Sequence, residues 1–411
     1  MKDLVILGAG TAGTIMAQRL RRELPAATWR ITVVDRDDQH IYQPGLLLLP
    51  FGVYRASDLV RPRRLTLPLG VDVRLAAVDH LDTERRRVHF ADGSQLAWDI
   101  LVIATGSRTV PEDTPGLTGA GWRRSIFDFY TLDGAEALGA ALESFAGGRI
   151  VVHFADVPIK CPVAPLEMTF LIDAFLTRRG LRNKSEIVYA TPLDGAFTKP
   201  RASAMLGGLL TQKQIRVESN FAVSEVDGER RAMHCYDGRT LDYDLLVTVP
   251  LHAGSEVIMR SGLGDDAGFV PTHKHTLQTK HHEHIFALGD ATDVPTSKAG
   301  SVAHFQSEVL TANILRHIAG RPLLPDFDGH ANCFIETGFD RALLIDFNYD
   351  TEPLPGRFPL PGVGPFTLLE ESRANHIGKL GFKWLYWNVL LAGRELPIDH
   401  RMSMAGKWSA A

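Results

Sequence analysis

The chain has 411 residues, too many for one hydrophobic core, so its length predicts two or three domains. Apolar residues make up 45% and charged residues 22%, the balance of a globular protein, and a net charge of -4 with dispersed Lys and Arg gives no surface for nucleic acid. Three cysteines are too few for a disulfide framework, so any pairing among them is redox chemistry rather than stapling.

The opening MKDLVILGAG already reads as a strand, which leaves no signal peptide in view and predicts a chain that stays inside the cell. No uncharged apolar run reaches the ~18 residues of a membrane span, while peripheral membrane attachment stays open. The run Leu4 to Leu7 leads into Gly8, Ala9, Gly10, Thr11, Ala12 and Gly13, and a helical stretch continues to about Glu23. This is GxGxxG after a strand and at the start of a helix, where backbone amides and the helix N-terminus cradle a pyrophosphate. The second strand, Ile31 to Val34, ends in Asp35, placed to bind ribose hydroxyls.

NAD and FAD both satisfy those positions; three later signals favour FAD. Leu101 to Gly106, LVIATG, is an apolar strand running into a small-residue turn with Ala104 and Thr105, and it resembles the second fingerprint of two-dinucleotide-domain flavoproteins. Ile285 to Asp290, IFALGD, containing Gly289, resembles the third fingerprint of two-dinucleotide-domain flavoproteins, and that resemblance implies that Asp290 holds the flavin's ribityl chain. Lys298, Ala299 and Gly300 then open an apolar helix, and a cation beside a helix N-terminus stabilises negative charge on a reduced flavin.

The chain repeats itself. VHFADGSQLAWDILV, Val88 to Val102, matches MHCYDGRTLDYDLLV, Met233 to Val247, at an offset of 145 residues. Carried back, that offset lays Gly8 on His153, Gly10 on Ala155 and Gly13 on Pro158. The second unit keeps its strand, Ile150 to Val152, but fills the phosphate approach with side chains, so it is expected not to bind NAD(P)H. The repeat also lays Cys235 on Phe90, an inert core position.

Cys161 stands in Ile150 to Glu167, IVVHFADVPIKCPVAPLE, where the strand should meet glycines. Lys160 precedes it and Pro162 follows, which predicts a helix cap at Cys161 and a lowered thiol pKa from the dipole and the neighbouring cation. The alternative is a small hydrophobe at a strand-to-helix junction. Cys333 lies in ANCFIETGFDRALLIDFNYD, Ala331 to Asp350, read as two strands around a turn at Thr337 and Gly338, where a half-buried strand cysteine is the plain alternative. The run HHEH, His281 to His284, reads as an exposed turn, and no metal is expected.

In combination, the glycine fingerprint, LVIATG, KCPVAPLE, IFALGD with its Lys-Ala-Gly, and the late cysteine hairpin resemble the sulfide:quinone oxidoreductase family. They also resemble its relative, the flavoprotein subunit of flavocytochrome c sulfide dehydrogenase. The resemblance covers nearly the whole chain, and KCPVAPLE is its most diagnostic part. It implies an α/β protein with two Rossmann-like dinucleotide-binding domains of the disulfide-reductase type, a C-terminal hairpin and an amphipathic helical region. The expected division is 1–110 with 270–325 for FAD, 111–269 for the second Rossmann-like unit carrying Cys161, and 326–411 for the redox-cysteine hairpin and the membrane or oligomer region. Implied FAD contacts are Gly8, Gly10, Thr11, Ala12, Gly13, Asp35, Arg36, Gln43, Val78, Ala104, Thr105, Gly106, Gly289, Asp290, Lys298, Ala299 and Gly300.

The resemblance further implies that Cys161 and Cys333 form a redox-active disulfide or sulfur bridge beside the flavin. Sulfide attacks it to give a persulfide, and the released thiolate passes two electrons to the flavin. Glu167 matches the family's glutamate and is a candidate proton carrier, with Lys298 as a further catalytic candidate; a helix-start residue stabilised by the dipole is the plain reading of Glu167. The family's usual third cysteine is missing, since Ser125 to Tyr130 reads SIFDFY, so the sulfur product and acceptor stay open.

Thr351 to Phe366 is rich in Pro and Gly and is read as a linker. It leads to a helical stretch, His376 to Leu396. On a helical wheel Ile377, Leu380, Trp384, Trp387 and Leu391 share one face, Phe382, Leu385 and Val389 a second, and Lys379 and Lys383 a narrow polar stripe. The pattern suits a peripheral membrane helix near a quinone, with Phe366, Phe382 and Trp384 as contacts, or burial in a homo-oligomer. The expected function is FAD-dependent oxidation of sulfide or a related sulfur species with electrons passed to quinone. A cytochrome acceptor, a type II NADH:quinone reductase and a scaffold that holds FAD are the competing readings.

Overall fold

The computed structural model describes residues 1–408. Its strands Lys2–Leu7, Ile100–Ile103 and Ile285–Ala287 are near-continuous apolar runs, which only a sheet covered on both faces can bury. They lie parallel in a five-stranded sheet ordered Ile285–Ala287, Ile100–Ile103, Lys2–Leu7, Trp29–Asp35, Asp72–Leu75. A second parallel sheet has the order Ile126–Phe127, Leu245–Val249, Gly148–Phe154, Ser185–Ala190, Arg216–Glu218. Each sheet has its own three-stranded antiparallel companion, Val78–Asp82 with Arg87–Phe90 and Gln95–Ala97, and Val223–Asp227 with Ala232–Cys235 and Thr240–Asp242. The sequence repeat is thus a structural duplication, and Cys235 is a buried member of the second companion sheet.

The two units part company after their first strands. In the first, the helix Thr11–Glu23 starts four residues beyond Leu7, a turn so tight that only glycines fit it. Gly8 has φ of +96°, and a Cβ on Gly13 would sit 1.8 Å from the Gly8 carbonyl oxygen. Nothing lies within 4 Å of a Cβ built on Gly10, so that face is free for a ligand's close approach. In the second unit the helix Ala164–Arg178 starts ten residues beyond Phe154. The strand register puts His153 at the counterpart of Leu7 and Phe154, 2% exposed, at that of Gly8, one residue away from the offset read in the sequence, and the turn that follows has no glycine.

Substituting Gly13 by Ala therefore forces strand and helix apart. We expect the variant to be purified with most of its FAD lost, read as the flavin absorbance per unit protein against wild type; full retention would mean that the turn relaxes at no cost.

The chain after residue 330 corrects the linker expectation and refines two others. The cysteine hairpin pairs Ala331–Gly338 with Arg341–Phe347, and its turn falls at Phe339 and Asp340, both with positive φ, two residues later than the sequence suggests. The stretch expected as linker contains a second hairpin, Gly356–Leu360 with Gly364–Leu368. Its prolines 359 and 365 face one another near the hairpin's turn, where a missing N–H removes little, while Gly356 at the other end of the ribbon bridges Lys407. The C-terminal helix runs Arg373–Leu385, capped by the Ser372 hydroxyl, and ends in a π-helical turn, Tyr386–Leu390. The continuous helix to Leu396 is not formed. No helix among the described residues is long and apolar enough to cross a membrane.

Candidate active site at the cysteine turn

Cys161 does not cap the helix, contrary to the sequence expectation. The N-cap is Val163, and Cys161 lies in the turn before it with φ of +46°, a left-handed conformation that a residue with a Cβ rarely adopts. Three hydrogen bonds over-determine the turn. The Cys161 N–H donates to the Lys298 carbonyl at 2.8 Å, the Ala164 N–H donates to the Cys161 carbonyl at 2.8 Å, and the Tyr130 hydroxyl donates to the Lys160 carbonyl at 2.7 Å. The cysteine turn is thereby tied to Lys298, beside the start of the helix Gly300–Ile318.

Cys161, Cys235 and Cys333 are all free thiols, so the Cys161–Cys333 bridge is not formed in this structure. Burial, then the charges of Glu167 and Cys333, push the Cys161 thiol well above its ordinary range. Burial and Glu167 push Cys333 up to about 12. The activation expected from a helix dipole and Lys160 is thus not found. The Lys160 ammonium faces Asp290 and Asp128, and the cation that pulls both thiols back down is Lys379.

Glu167 is fully buried at the first turn of its helix. Its Oε1 accepts from the Glu336 N–H at 2.7 Å and from the Lys379 ammonium, while Oε2 has no partner. Lys379 also donates to the Phe334 carbonyl at 3.1 Å, and the Glu336 carboxylate binds His376 Nδ1 at 3.0 Å. Burial raises the Glu167 carboxyl; burial opposes charge on Lys379 too, but Glu167 and Glu336 outweigh it and hold the ammonium charged. Lys379 therefore points inward, not along a solvated stripe. Sequence reading missed Lys379, Glu336 and His376 as site residues; the signal was the lysine recurring three residues after a histidine on one helix face, with an acidic partner in each cysteine segment.

The flavin-side residues gather around the first sheet. Asp35 Oδ2 accepts from the Ala9 N–H at 2.7 Å, and Arg63 stands 3.3 Å from the same carboxylate, which fixes it at the strand end. Thr105 Oγ1 and Ser107 Oγ are buried without partners, as in a pocket whose occupant supplies them. Gly289 approaches Ala12 so closely that an added Cβ would lie 3.2 Å from that methyl carbon, and its N–H donates to Gln306 Oε1 at 2.6 Å. Burial raises the Asp290 carboxyl, with Lys298 and Lys160 drawing it down. These open glycines, orphaned hydroxyls and the half-buried carboxylate fit a dinucleotide with a ribityl chain. The Lys298 ammonium is engaged elsewhere, donating to the carbonyls of Asp290 at 3.0 Å and Thr292 at 2.8 Å over the Phe269 ring, so it braces the turn. Arg36 is exposed beside Asp37, Gln43 starts a 3-10 turn, and Val78 pairs with Phe90 in the companion sheet. Thr11 Oγ1 lies 2.7 Å from the Tyr386 hydroxyl, which His40 Nε2 also contacts at 2.7 Å, so the C-terminal segment reaches the glycine turn.

Of the three aromatics expected near a quinone, Phe366 packs edge-on against Phe334, beside Gly378, and Phe382 lies next to Tyr42 and Tyr386. Trp384 is 65% exposed on the outer side with Ile377 at 68%. His284 contacts His317, and no metal-binding cluster occurs among the described residues.

Three histidines near these turns are buried and neutral. Burial, with Arg63, lowers His40 to about 4; burial lowers His153 to about 3; burial, with Lys160, lowers His252 to about 3. Each ordinarily titrates near 6.5, so below that pH the unfolded chain takes up protons the folded chain refuses. Their stabilising effect is complete above ~6.5 and is lost as pH falls towards 3 to 4. At pH 5 the loss is about 2 kcal/mol for each. The urea midpoint should accordingly fall between pH 7 and 5, and His153→Phe should flatten that fall.

The family model of the pyridine nucleotide-disulphide oxidoreductases matches residues 2–307. The chain is 27% identical over 398 residues to the mitochondrial sulfide:quinone oxidoreductase of Mus musculus, covering 95% of this chain and 86% of that protein. It is likewise 27% identical over 399 residues to the mitochondrial enzyme of that name in Dictyostelium discoideum, covering 95% and 86%. The X-ray structure of the sulfide:quinone oxidoreductase of Aquifex aeolicus superimposes with a TM-score of 0.77 at 19% identity, covering 96% of this chain and 92% of that one. The glycine turn, the orphaned hydroxyls and the family match agree: the chain belongs to the pyridine nucleotide-disulphide oxidoreductase family and is an FAD-dependent oxidoreductase.

Proposed function

We propose that the chain oxidises sulfide, or a related sulfur species, at Cys161 and Cys333 and delivers the electrons through FAD to a quinone. The observation that carries this reading is Cys161 held in a strained turn, beside Cys333, Glu167 and Lys379, in the unit whose nucleotide glycines are replaced. With a bridge between the two sulfurs, HS⁻ attacks one of them, a Cys–S bond forms, the bridge opens and the other sulfur leaves as thiolate. The lone Oε2 of Glu167 takes the proton that sulfide loses, and Lys379 stabilises the thiolate. FAD, when bound, supplies a two-electron acceptor, held by Gly8, Gly10, Thr11, Ala12, Gly13, Asp35, Ala104, Thr105, Gly106, Gly289, Asp290, Ala299 and Gly300. Arg36, Gln43 and Val78 remain further contacts in this reading, and Lys298 braces the turn carrying Asp290.

Phe366 and Phe382 stay in the reading as quinone contacts, and Trp384 moves from that role to the outer surface. With Ile377 and the hairpin tip Leu360 and Val363, it forms an apolar exterior suited to peripheral membrane contact. The division of the chain at residues 110, 270 and 326 belongs to the same reading, with the two sheets as cores of the first two parts.

The test is an anaerobic titration of the purified holoprotein with sulfide, followed by its flavin spectrum and then by added quinone. Bleaching by sulfide and recovery with quinone are expected. Bleaching by NADH instead would favour a nicotinamide-dependent reductase, which the glycine-free turn after Phe154 opposes, and recovery only with cytochrome c would change the acceptor.

A further inference from the structure

We propose that His376 is the outer end of a buried proton path that leads from the thiol pair through Glu167, Lys379 and Glu336 to the surface. The inference rests on the thiol reading above and adds the route by which the site discharges its protons.

Attack of HS⁻ on a Cys161–Cys333 bridge breaks the bridge to give a persulfide and a thiolate, and ionisation of the persulfide to its anion then frees one proton that has to be carried out of the buried site. Around the sulfurs the acceptor is Glu167 Oε2, a buried carboxylate oxygen without a partner. Its other oxygen already contacts Lys379 and the Glu336 N–H. Lys379 lies within the electrostatic reach of Glu336 without bonding to its carboxylate, so one lysine rotation or one water completes the step. From the 1% exposed Glu336 side chain, both oxygens face His376 Nδ1 at 3.0 Å. His376 is the most open member of the series, its side chain 20% exposed beside Ile377 on the outer face against 13% for Lys379.

Two acids and two bases alternate along this line, so it is neutral overall when all four are charged, and a proton can pass without leaving an isolated buried charge. The other titratable groups that face it are Cys161, Cys333, Tyr54 from the loop before residue 60, and Lys383, whose ammonium lies 4.3 Å from the Tyr54 ring. Among the described residues, none of these side chains is hydrogen-bonded to Glu167, Lys379, Glu336 or His376, whereas Glu336 and His376 are bonded to each other. A purely structural ion cluster would pair Glu167 with Lys379 and stop there. The added Glu336–His376 couple is what turns a buried pair into a route outward.

The experiment is stopped-flow reduction of the flavin by sulfide in the holoenzyme and in His376→Asn, with and without added imidazole. The variant is expected to reduce its flavin ~10-fold or more slowly and to recover with imidazole. Glu336→Gln should show the same slowing without imidazole rescue, because the break then lies inside. Wild-type rates in His376→Asn would overturn the path, as would slowing that imidazole leaves unchanged. Retained FAD absorbance in each variant separates these results from misfolding. Failure of wild type itself to be bleached by sulfide would instead sink the sulfur reading, and this path with it.

Discussion

Cys161→Ser should hold its FAD and yet show no bleaching by sulfide, a fall in reduction rate of ~10³-fold or more. A serine oxygen fits the turn, since the bonds that fix it run through the backbone of residues 160, 161 and 164 and leave the side chain free. Its hydroxyl cannot form a sulfur bridge or leave as a stable anion. Cys333→Ser should fail in the same way, whereas Cys235→Ser, in the companion sheet with its sulfur 3.9 Å from the Asn220 carbonyl, should retain activity. Normal bleaching in Cys161→Ser would remove this residue from the chemistry, whatever its backbone strain.

How much of this was legible in the sequence follows from how local each feature is. The glycine turn, the IFALGD strand end and the repeat are readable because each is a few adjacent residues whose backbone demands fix their types. The φ of Cys161 is not, because a left-handed cysteine is set by the Tyr130 hydroxyl donating to the Lys160 carbonyl and the Cys161 N–H donating to the Lys298 carbonyl, with both partners remote in the chain. The cap expectation failed for the same reason. Pro162 looks like a first helical residue, but the carbonyl of Lys298 claims the Cys161 N–H and delays the helix to Ala164. The paired prolines 359 and 365 read as breakers one strand at a time, and only their mutual pairing shows a ribbon. The wheel drawn on the C-terminal helix found its apolar faces but set Lys379 outward, since a partner 212 residues away cannot be seen from helical spacing.

Lys379→Met should be the most destabilising single change in the C-terminal helix, by ~3–5 kcal/mol, because it leaves the Glu167 carboxylate buried without its cation. Glu167 is fully buried, so water cannot take the place of the ammonium, and the remaining bond from the Glu336 N–H does not balance a charge. The sign with pH follows from the direction of the shift. In the variant the Glu167 carboxyl rises further above its unfolded value, so the folded protein holds a proton that the unfolded chain releases. Stability is then better kept at acid pH, below the ordinary carboxylate range, and is lost as pH rises through the folded value. Across that narrow window the carboxyl partly offsets the histidine-driven acid loss expected of the whole protein. The double variant Glu167→Gln, Lys379→Met removes both charges and should regain most of the loss in denaturant midpoint, with the coupling read from the four-member cycle. Such recovery without any return of sulfide-driven bleaching would show that the pair serves the chemistry at a cost to the fold. A Lys379→Met protein as stable as wild type would mean that Glu167 is already protonated, and the inner end of the proton path would then have to be redrawn.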